Sequence, residues 1–124
     1  MSLQSALHYA RQAAIWLFWP SLALVVWGEL APASDIEIHI WDKLLHFTAY
    51  FGLAGMAWLA LGGGRRGWLA VLGLMLLGAL LEILQGQMGR DMSFWDEVAN
   101  ALGAGSAALA FLGLQRLVGF KPTD

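Results

Sequence analysis

The chain has 124 residues, of which 59% are hydrophobic and 13% charged, and its formal net charge at pH 7 is -2. So few charged side chains cannot cover a water-soluble fold, and a small negative charge gives no basic surface for nucleic acid. The sequence contains no cysteine, which excludes disulfides and thiolate metal sites.

Four apolar segments are long enough to cross a bilayer, since each crossing takes about 20 helical residues. They cover residues 12–30, 41–61, 68–88 and 94–118. The sequence therefore predicts an all-α polytopic membrane protein, a four-transmembrane-helix bundle that forms one domain over residues 1–124.

The first segment also has features of a secretory signal peptide. Arg11 precedes the apolar run, and Ala31-Pro32-Ala33 has the small-x-small form of a cleavage site. Because Glu29 would be unfavourable just before such a site, we favour a membrane helix.

Two local patterns predict where helices begin and end. Residues 62–67 read Gly-Gly-Gly-Arg-Arg-Gly, which is typical of a short turn. Ser93, followed three residues later by Asp96, resembles a capping box and predicts the start of the fourth helix.

Charged residues are unevenly distributed between the two ends of the predicted bundle. One end carries most of the basic residues, which are Arg11, Arg65, Arg66, Arg116 and Lys121. The other end carries Lys43 and Arg90 and most of the acidic residues, which are Glu29, Asp35, Glu37, Asp42, Asp91, Asp96 and Glu97. Because cytoplasmic loops are rich in Lys and Arg, we expect both termini in the cytoplasm of a bacterial-type inner membrane.

Polar residues in three predicted helices fall at similar depth near this acidic end. Asp42 lies at the boundary of the second helix, and His46 lies about 6 Å deeper. Asp96 and Asn100 repeat this arrangement in the fourth helix, and Glu82 lies about 9 Å below the end of the third. The candidate site residues are Asp42, Lys43, His46, Tyr50, Glu82, Gln85, Arg90, Ser93, Asp96 and Asn100.

This coincidence of depth predicts a shared polar pocket. A charged side chain inside a span costs about 2.5 kcal/mol or more unless it faces other polar groups or water. Glu82 has leucine and isoleucine neighbours, so a functional role is its default interpretation. Small residues nearby would let the helix backbones approach closely, and these are Gly78, Gly103, Ala104 and Ala107.

Structural roles also explain several of these residues. Asp42 and Asp96 stand where helix caps satisfy free N–H groups. His46 alone would be a hydrogen-bonded packing residue, although Asp42 and Tyr50 on the same face favour a functional role. Both interpretations stay open.

Lys43 and Arg90 lie at the end that positive charges usually avoid, which favours an anionic partner. The N-terminal ends of the second and fourth helices also direct their positive dipoles there. The alternative is a set of local salt bridges, Lys43 with Asp42 or Glu97 and Arg90 with Asp91.

The order of the polar residues resembles the VanZ-like family. The matching motifs are Asp42-Lys43-x-x-His46 with Tyr50, Glu82-x-x-Gln85, and Arg90-x-x-Ser93-x-x-Asp96-x-x-x-Asn100-x-x-Gly103. The resemblance covers residues 41 to about 110. It implies an integral membrane protein and a link to low-level teicoplanin resistance, but it implies no enzymatic activity.

The leading hypothesis is non-enzymatic binding of an anionic or lipid-linked cell-envelope molecule at the outer leaflet. Lys43 and Arg90 would hold the anion, and the other candidate residues would shape the pocket by hydrogen bonding. Membrane lipids are the expected surroundings, and nucleic acid is not an expected partner.

Two alternatives use the same residues. In metal-assisted hydrolysis, a divalent cation would be held by Asp42, His46, Glu82 and Asp96. The sequence has no His-Glu-x-x-His or Gly-x-Ser-x-Gly motif. A non-enzymatic role without a cofactor is therefore favoured over hydrolysis. In proton-coupled transport, Glu82 and His46 would relay protons, and four helices would need a homodimer to form a path.

Overall fold

The computed structural model describes residues 1–31 and 39–122. Pro32 and Ala33 of the suggested cleavage site, the acidic residues Asp35 and Glu37, and Asp124 lie outside the described residues.

The described residues form four α-helices and no strand. They are α1 (Leu3–Leu30), α2 (His39–Leu61), α3 (Gly64–Gln87) and α4 (Phe94–Leu117). All four are long and apolar enough to cross a membrane, which confirms the predicted all-α, four-helix membrane fold.

Three helices begin earlier than predicted, although α2 does so by only two residues, at His39. The predicted start of α1 at residue 12 was wrong, because the apolar run does not include the polar first turns of the helix. The helix begins at Leu3, where the Ser2 hydroxyl caps it by accepting a hydrogen bond from Ser5 N at 3.2 Å. The turn before α3 shortens to Gly62 and Gly63, whose φ of 78° suits glycine. The first turn of α3 thus contains Arg65 and Arg66, which the prediction assigned to the turn.

The centre of the bundle is the contact between α2 and α4, the most extensive helix pair. Tyr50, Leu53 and Trp58 of α2 are buried there against small α4 residues. A Cβ atom at Gly103 would overlap the backbone carbonyl of Phe47, so the two backbones lie as close as the small residues predicted.

The first helix is peripheral. It packs on α2 and, over a shorter length, on α3. Only Ala14 and Glu29 of α1 are buried, while Trp16, Trp19 and Trp27 are each more than two-thirds exposed. This outward apolar surface is what a lipid-facing helix presents.

Hydrogen bonds from side chains join the helices at the end that carries Arg11, which we call the basic end. Arg11 Nε donates to Ala60 O at 2.9 Å. Trp58 Nε1 donates to Gln115 Oε1 at 3.0 Å, and Gln115 Nε2 donates to Gly62 O at 3.3 Å. The bonds from Arg11 and Gln115 satisfy backbone carbonyls at the C-terminal end of α2.

Replacing Gly103 with Ala should destabilise the bundle by about 1 to 3 kcal/mol, because the added methyl group meets the backbone of Phe47, which cannot rotate away. The matched control is Gly113→Ala in the same helix, where nothing lies within 4 Å of the new Cβ. Gly113→Ala should be neutral or stabilising by up to about 1 kcal/mol. Unfolding of the purified protein in detergent measures both; equal effects would contradict the close α2–α4 contact.

Candidate functional site

Polar side chains from all four helices lie together at the end opposite Arg11, which we call the polar end. The structure brings together the ten predicted site residues and adds Glu29 of α1 and Glu97 of α4. We call these twelve residues the polar cluster. Glu82 and Asn100 are buried and His46 is nearly so, which confirms that these three side chains point inward.

His46 is the centre of the polar cluster. Its Nδ1 atom lies 3.0 Å from Asn100 Oδ1 and 3.7 Å from Glu29 Oε1. Its Nε2 atom faces Asp42 Oδ1 at 3.8 Å and Asp96 Oδ2 at 3.9 Å. The imidazole thus lies among the buried carboxylates of Glu29 and Asp96 and the half-exposed carboxylate of Asp42.

Lys43 forms an ion pair with Asp96. Its Nζ atom lies 2.6 Å from Asp96 Oδ1, with the lysine side chain 39% exposed and the aspartate 10% exposed. The local salt bridge suggested for Lys43 is therefore present with a different partner, on α4 instead of Asp42 or Glu97. Because Asp96 Oδ2 is not used, this aspartate can contact Lys43 and His46 together.

Glu82 caps a neighbouring helix. Its Oε2 atom accepts a hydrogen bond from Ser93 N at 3.0 Å, at the start of α4. Ser93 is the N-cap residue, as predicted, but its side chain forms no capping hydrogen bond, so the expected capping box with Asp96 is not made. A carboxylate at a helix N-terminus is favourable because the free N–H groups and the helix dipole are positive there.

Gln85 and Arg90 bind the C-terminal end of α1, where free carbonyl groups need donors. Gln85 Nε2 donates to Glu29 O, and Arg90 Nη1 donates to Glu29 O and Ala31 O, both at 2.8 Å. These bonds satisfy terminal carbonyls of α1. Arg90 is therefore engaged with the α1 backbone, whereas the sequence suggested an anion or a salt bridge with Asp91.

A glycine makes room for the deepest polar groups. A Cβ atom at Gly78 would lie 2.6 Å from Glu97 Oε2, 2.9 Å from Asn100 Nδ2 and 3.2 Å from the Tyr50 hydroxyl. Asn100 Nδ2 donates to Glu97 Oε2 at 3.3 Å. The missing side chain of Gly78 thus lets groups from α2 and α4 approach α3.

Several buried oxygens in the polar cluster have no hydrogen-bond partner within normal geometry among the described residues. They are both carboxylate oxygens of Glu29, the Tyr50 hydroxyl and Glu82 Oε1. The Tyr50 hydroxyl and the Glu29 carboxylate are close enough to interact with each other. Because buried polar atoms are nearly always paired, Glu82 Oε1 and the remaining Glu29 oxygen have capacity for a further donor.

One subset of the polar cluster has the spacing of metal ligands. The side-chain ligand atoms of Asp42, His46 and Asp96 all lie within 4.8 Å of one another. This subset contains three of the four residues that the sequence suggested for a metal site. Glu82, the fourth, binds the N-terminus of α4 through Oε2.

Sequence reasoning missed Glu29 and Glu97 as site residues. Neither belongs to the motifs that resemble the VanZ-like family. Glu97 was predicted only as an alternative salt-bridge partner of Lys43, and Glu29 only as an acidic residue at the end of the first span. The signal for Glu29 was its place in the last turn of an apolar span, where a carboxylate needs a polar partner.

Comparison of the chain with protein-family models, with curated proteins and with solved structures finds no match. The resemblance to the VanZ-like family therefore depends on the spacing of the quoted residues and stays a prediction.

Replacing Arg90 with Ala should loosen the C-terminal end of α1, because Ala31 O loses its side-chain donor and Glu29 O keeps only the one from Gln85. We expect a loss of about 1 to 3 kcal/mol in the free energy of unfolding and faster hydrogen exchange at residues 29–31. Lys121→Ala, beyond the end of α4, is the control and should change stability by less than about 0.5 kcal/mol. Unchanged exchange at residues 29–31 in the Arg90 variant would rule out this anchoring role.

Proposed function

We propose that the chain is a membrane protein that binds the headgroup of an anionic or lipid-linked cell-envelope molecule at its polar end. The observation that supports this most directly is a gradient of exposure through one polar cluster. Asp42 and Lys43 are 51% and 39% exposed, whereas Asp96, His46 and Glu29 are 10%, 11% and 8% exposed. Such a gradient suits a headgroup that enters at Asp42 and Lys43 and reaches inward.

The chemistry of the polar cluster favours a headgroup with both an anion and hydrogen-bond donors. The Lys43 ammonium is the accessible cation, and the N-terminal turn of α4 lies beside its partner Asp96. Deeper in the site, the unpartnered Glu29 and Glu82 oxygens would accept hydrogen bonds from hydroxyl or amine groups. A phosphorylated lipid carrying a sugar or an amine supplies both kinds of group.

The proposed orientation places the polar end at the outer leaflet of a bacterial-type inner membrane, with both termini in the cytoplasm. The excess of Lys and Arg at the basic end supports this. The resemblance to the VanZ-like family supports an envelope-related role and a link to glycopeptide resistance.

The orientation can be tested with single cysteines, since the native chain has none. Asp91→Cys at the polar end should react with a membrane-impermeant maleimide in intact spheroplasts. Gln4→Cys near the N-terminus should react only after the membrane is permeabilised. The reverse labelling pattern would place the polar end in the cytoplasm.

Binding can be tested with a polyprenyl phosphate and the full chain in nanodiscs. Lys43→Gln should weaken binding about tenfold or more, because a hydrogen bond to a charged group contributes about 1.5 to 3 kcal/mol. Arg66→Gln at the basic end is the matched control and should leave affinity unchanged. Equal affinities of the two variants would remove the support for an anion site at the polar end.

The same preparation distinguishes the two other functions that these residues favour. Phosphate release from a polyprenyl diphosphate, dependent on a divalent cation, would indicate hydrolysis. Lipid movement that depends on a proton gradient in liposomes would indicate transport. Binding with neither signal is the expected result.

A further inference from the structure

The hydrogen bonds of Asn100 fix the orientation of the His46 ring nitrogens. Asn100 Nδ2 donates to Glu97 Oε2, so Asn100 Oδ1 is the atom that faces His46 Nδ1, at 3.0 Å. A carbonyl oxygen can only accept, and His46 Nδ1 must therefore carry the hydrogen. In the neutral ring, Nε2 then has no hydrogen and carries a lone pair.

That lone pair faces two further electron-rich atoms. Asp42 Oδ1 lies 3.8 Å and Asp96 Oδ2 lies 3.9 Å from His46 Nε2, distances that are too long for hydrogen bonds. Ligands that share one ion at about 2.1 Å are separated by roughly 3 to 4.2 Å, a range that includes both distances from Nε2. The two carboxylate oxygens lie within 4.8 Å of each other. Converging lone pairs repel one another, and a cation between them would remove this repulsion.

Lys43 does not fill this position. Its ammonium group binds Asp96 Oδ1, on the other oxygen of the carboxylate, and leaves Oδ2 directed toward His46. Asp96 can thus accept from Lys43 and ligate a cation at the same time, as a carboxylate with two oxygens allows.

Two buried carboxylates lie in the same polar cluster as these ligand atoms. Glu29 and Glu82 are each more than nine-tenths buried, and each has an oxygen without a hydrogen-bond partner of normal geometry among the described residues. Glu29 Oε1 lies 3.7 Å from His46 Nδ1, on the far side of the ring from Asp42 and Asp96. A carboxylate behind a ligating histidine orients the ring.

We propose that Asp42, His46 and Asp96 bind a divalent cation of the magnesium or manganese class, with Asn100 and Glu29 positioning the imidazole. Carboxylate oxygens with one imidazole nitrogen suit these ions, and three protein ligands leave coordination positions for water or a ligand oxygen. The cation would be the direct contact for a phosphate. That last role depends on the proposed headgroup binding, whereas cation binding itself does not.

The test uses the purified full chain in detergent, stripped with EDTA and titrated with Mn²⁺ alone, with binding followed by electron paramagnetic resonance. We expect one site per chain. Asp42→Asn should weaken Mn²⁺ binding at least about tenfold, and because Asp42 is half exposed this variant should fold. Asp91→Asn, an exposed acidic residue at the same end, is the matched control and should bind as the native chain does.

A second readout separates ligation from general electrostatic attraction. Substoichiometric Mn²⁺ should broaden the ring resonances of His46 and leave those of the exposed His8, near the other end of the bundle, unchanged. Asn100→Asp should weaken Mn²⁺ binding less than His46→Gln does, because it keeps an acceptor for Nδ1. Absence of saturable Mn²⁺ binding, or equal binding by the Asp42 and Asp91 variants, would overturn the proposal.

Polyprenyl phosphate binding in EDTA distinguishes this failure from failure of the proposed function. If Mn²⁺ does not bind but the lipid does, headgroup binding stands and the cation site is wrong. If Mn²⁺ binds but the lipid does not bind with or without it, the cation site stands and the headgroup proposal is wrong.

Discussion

The structure depends on satisfying buried carboxylates and helix ends within an apolar bundle. A charge in a membrane span is costly unless it meets other polar groups, and a helix end buried in the same region has free N–H or C=O groups. In this bundle, polar side chains pair with helix ends. Glu82 accepts a hydrogen bond from Ser93 N at the start of α4, and Arg90 donates hydrogen bonds to carbonyls at the end of α1. The polar cluster therefore holds the helices together as well as forming a candidate site.

The same principle explains how α1 stays attached to the bundle. Most of its surface is exposed, but Phe18, Leu22 and Val25 are partly buried against the core. Hydrogen bonds fix it further near both ends, from Arg11 to Ala60 O at the basic end and from Gln85 and Arg90 to Glu29 O at the polar end. Glu29 reaches His46 because of these end contacts.

The fold was predictable because membrane helices are specified by length and hydrophobicity, which are properties of each segment alone. The clustering of the polar side chains was predictable for a related reason, because polar residues at the same depth in a membrane avoid lipid by facing the inside of the bundle. Partners within the site were less predictable. Lys43 pairs with Asp96, which is 53 residues away in sequence, because the backbones of α2 and α4 nearly touch at Gly103. Such contacts depend on helix rotation and crossing, which composition does not determine.

The charge balance of the polar cluster links the two proposals. Five carboxylates lie in it, those of Glu29, Asp42, Glu82, Asp96 and Glu97, against the basic side chains of Lys43 and Arg90. Arg90 is already bonded to the α1 backbone, so a phosphate would meet a predominantly negative field with Lys43 as its main attraction. A divalent cation between His46, Asp42 and Asp96 would reverse the local sign and present open coordination positions to the phosphate. If both proposals hold, the cation would make an acidic site compatible with an anionic ligand.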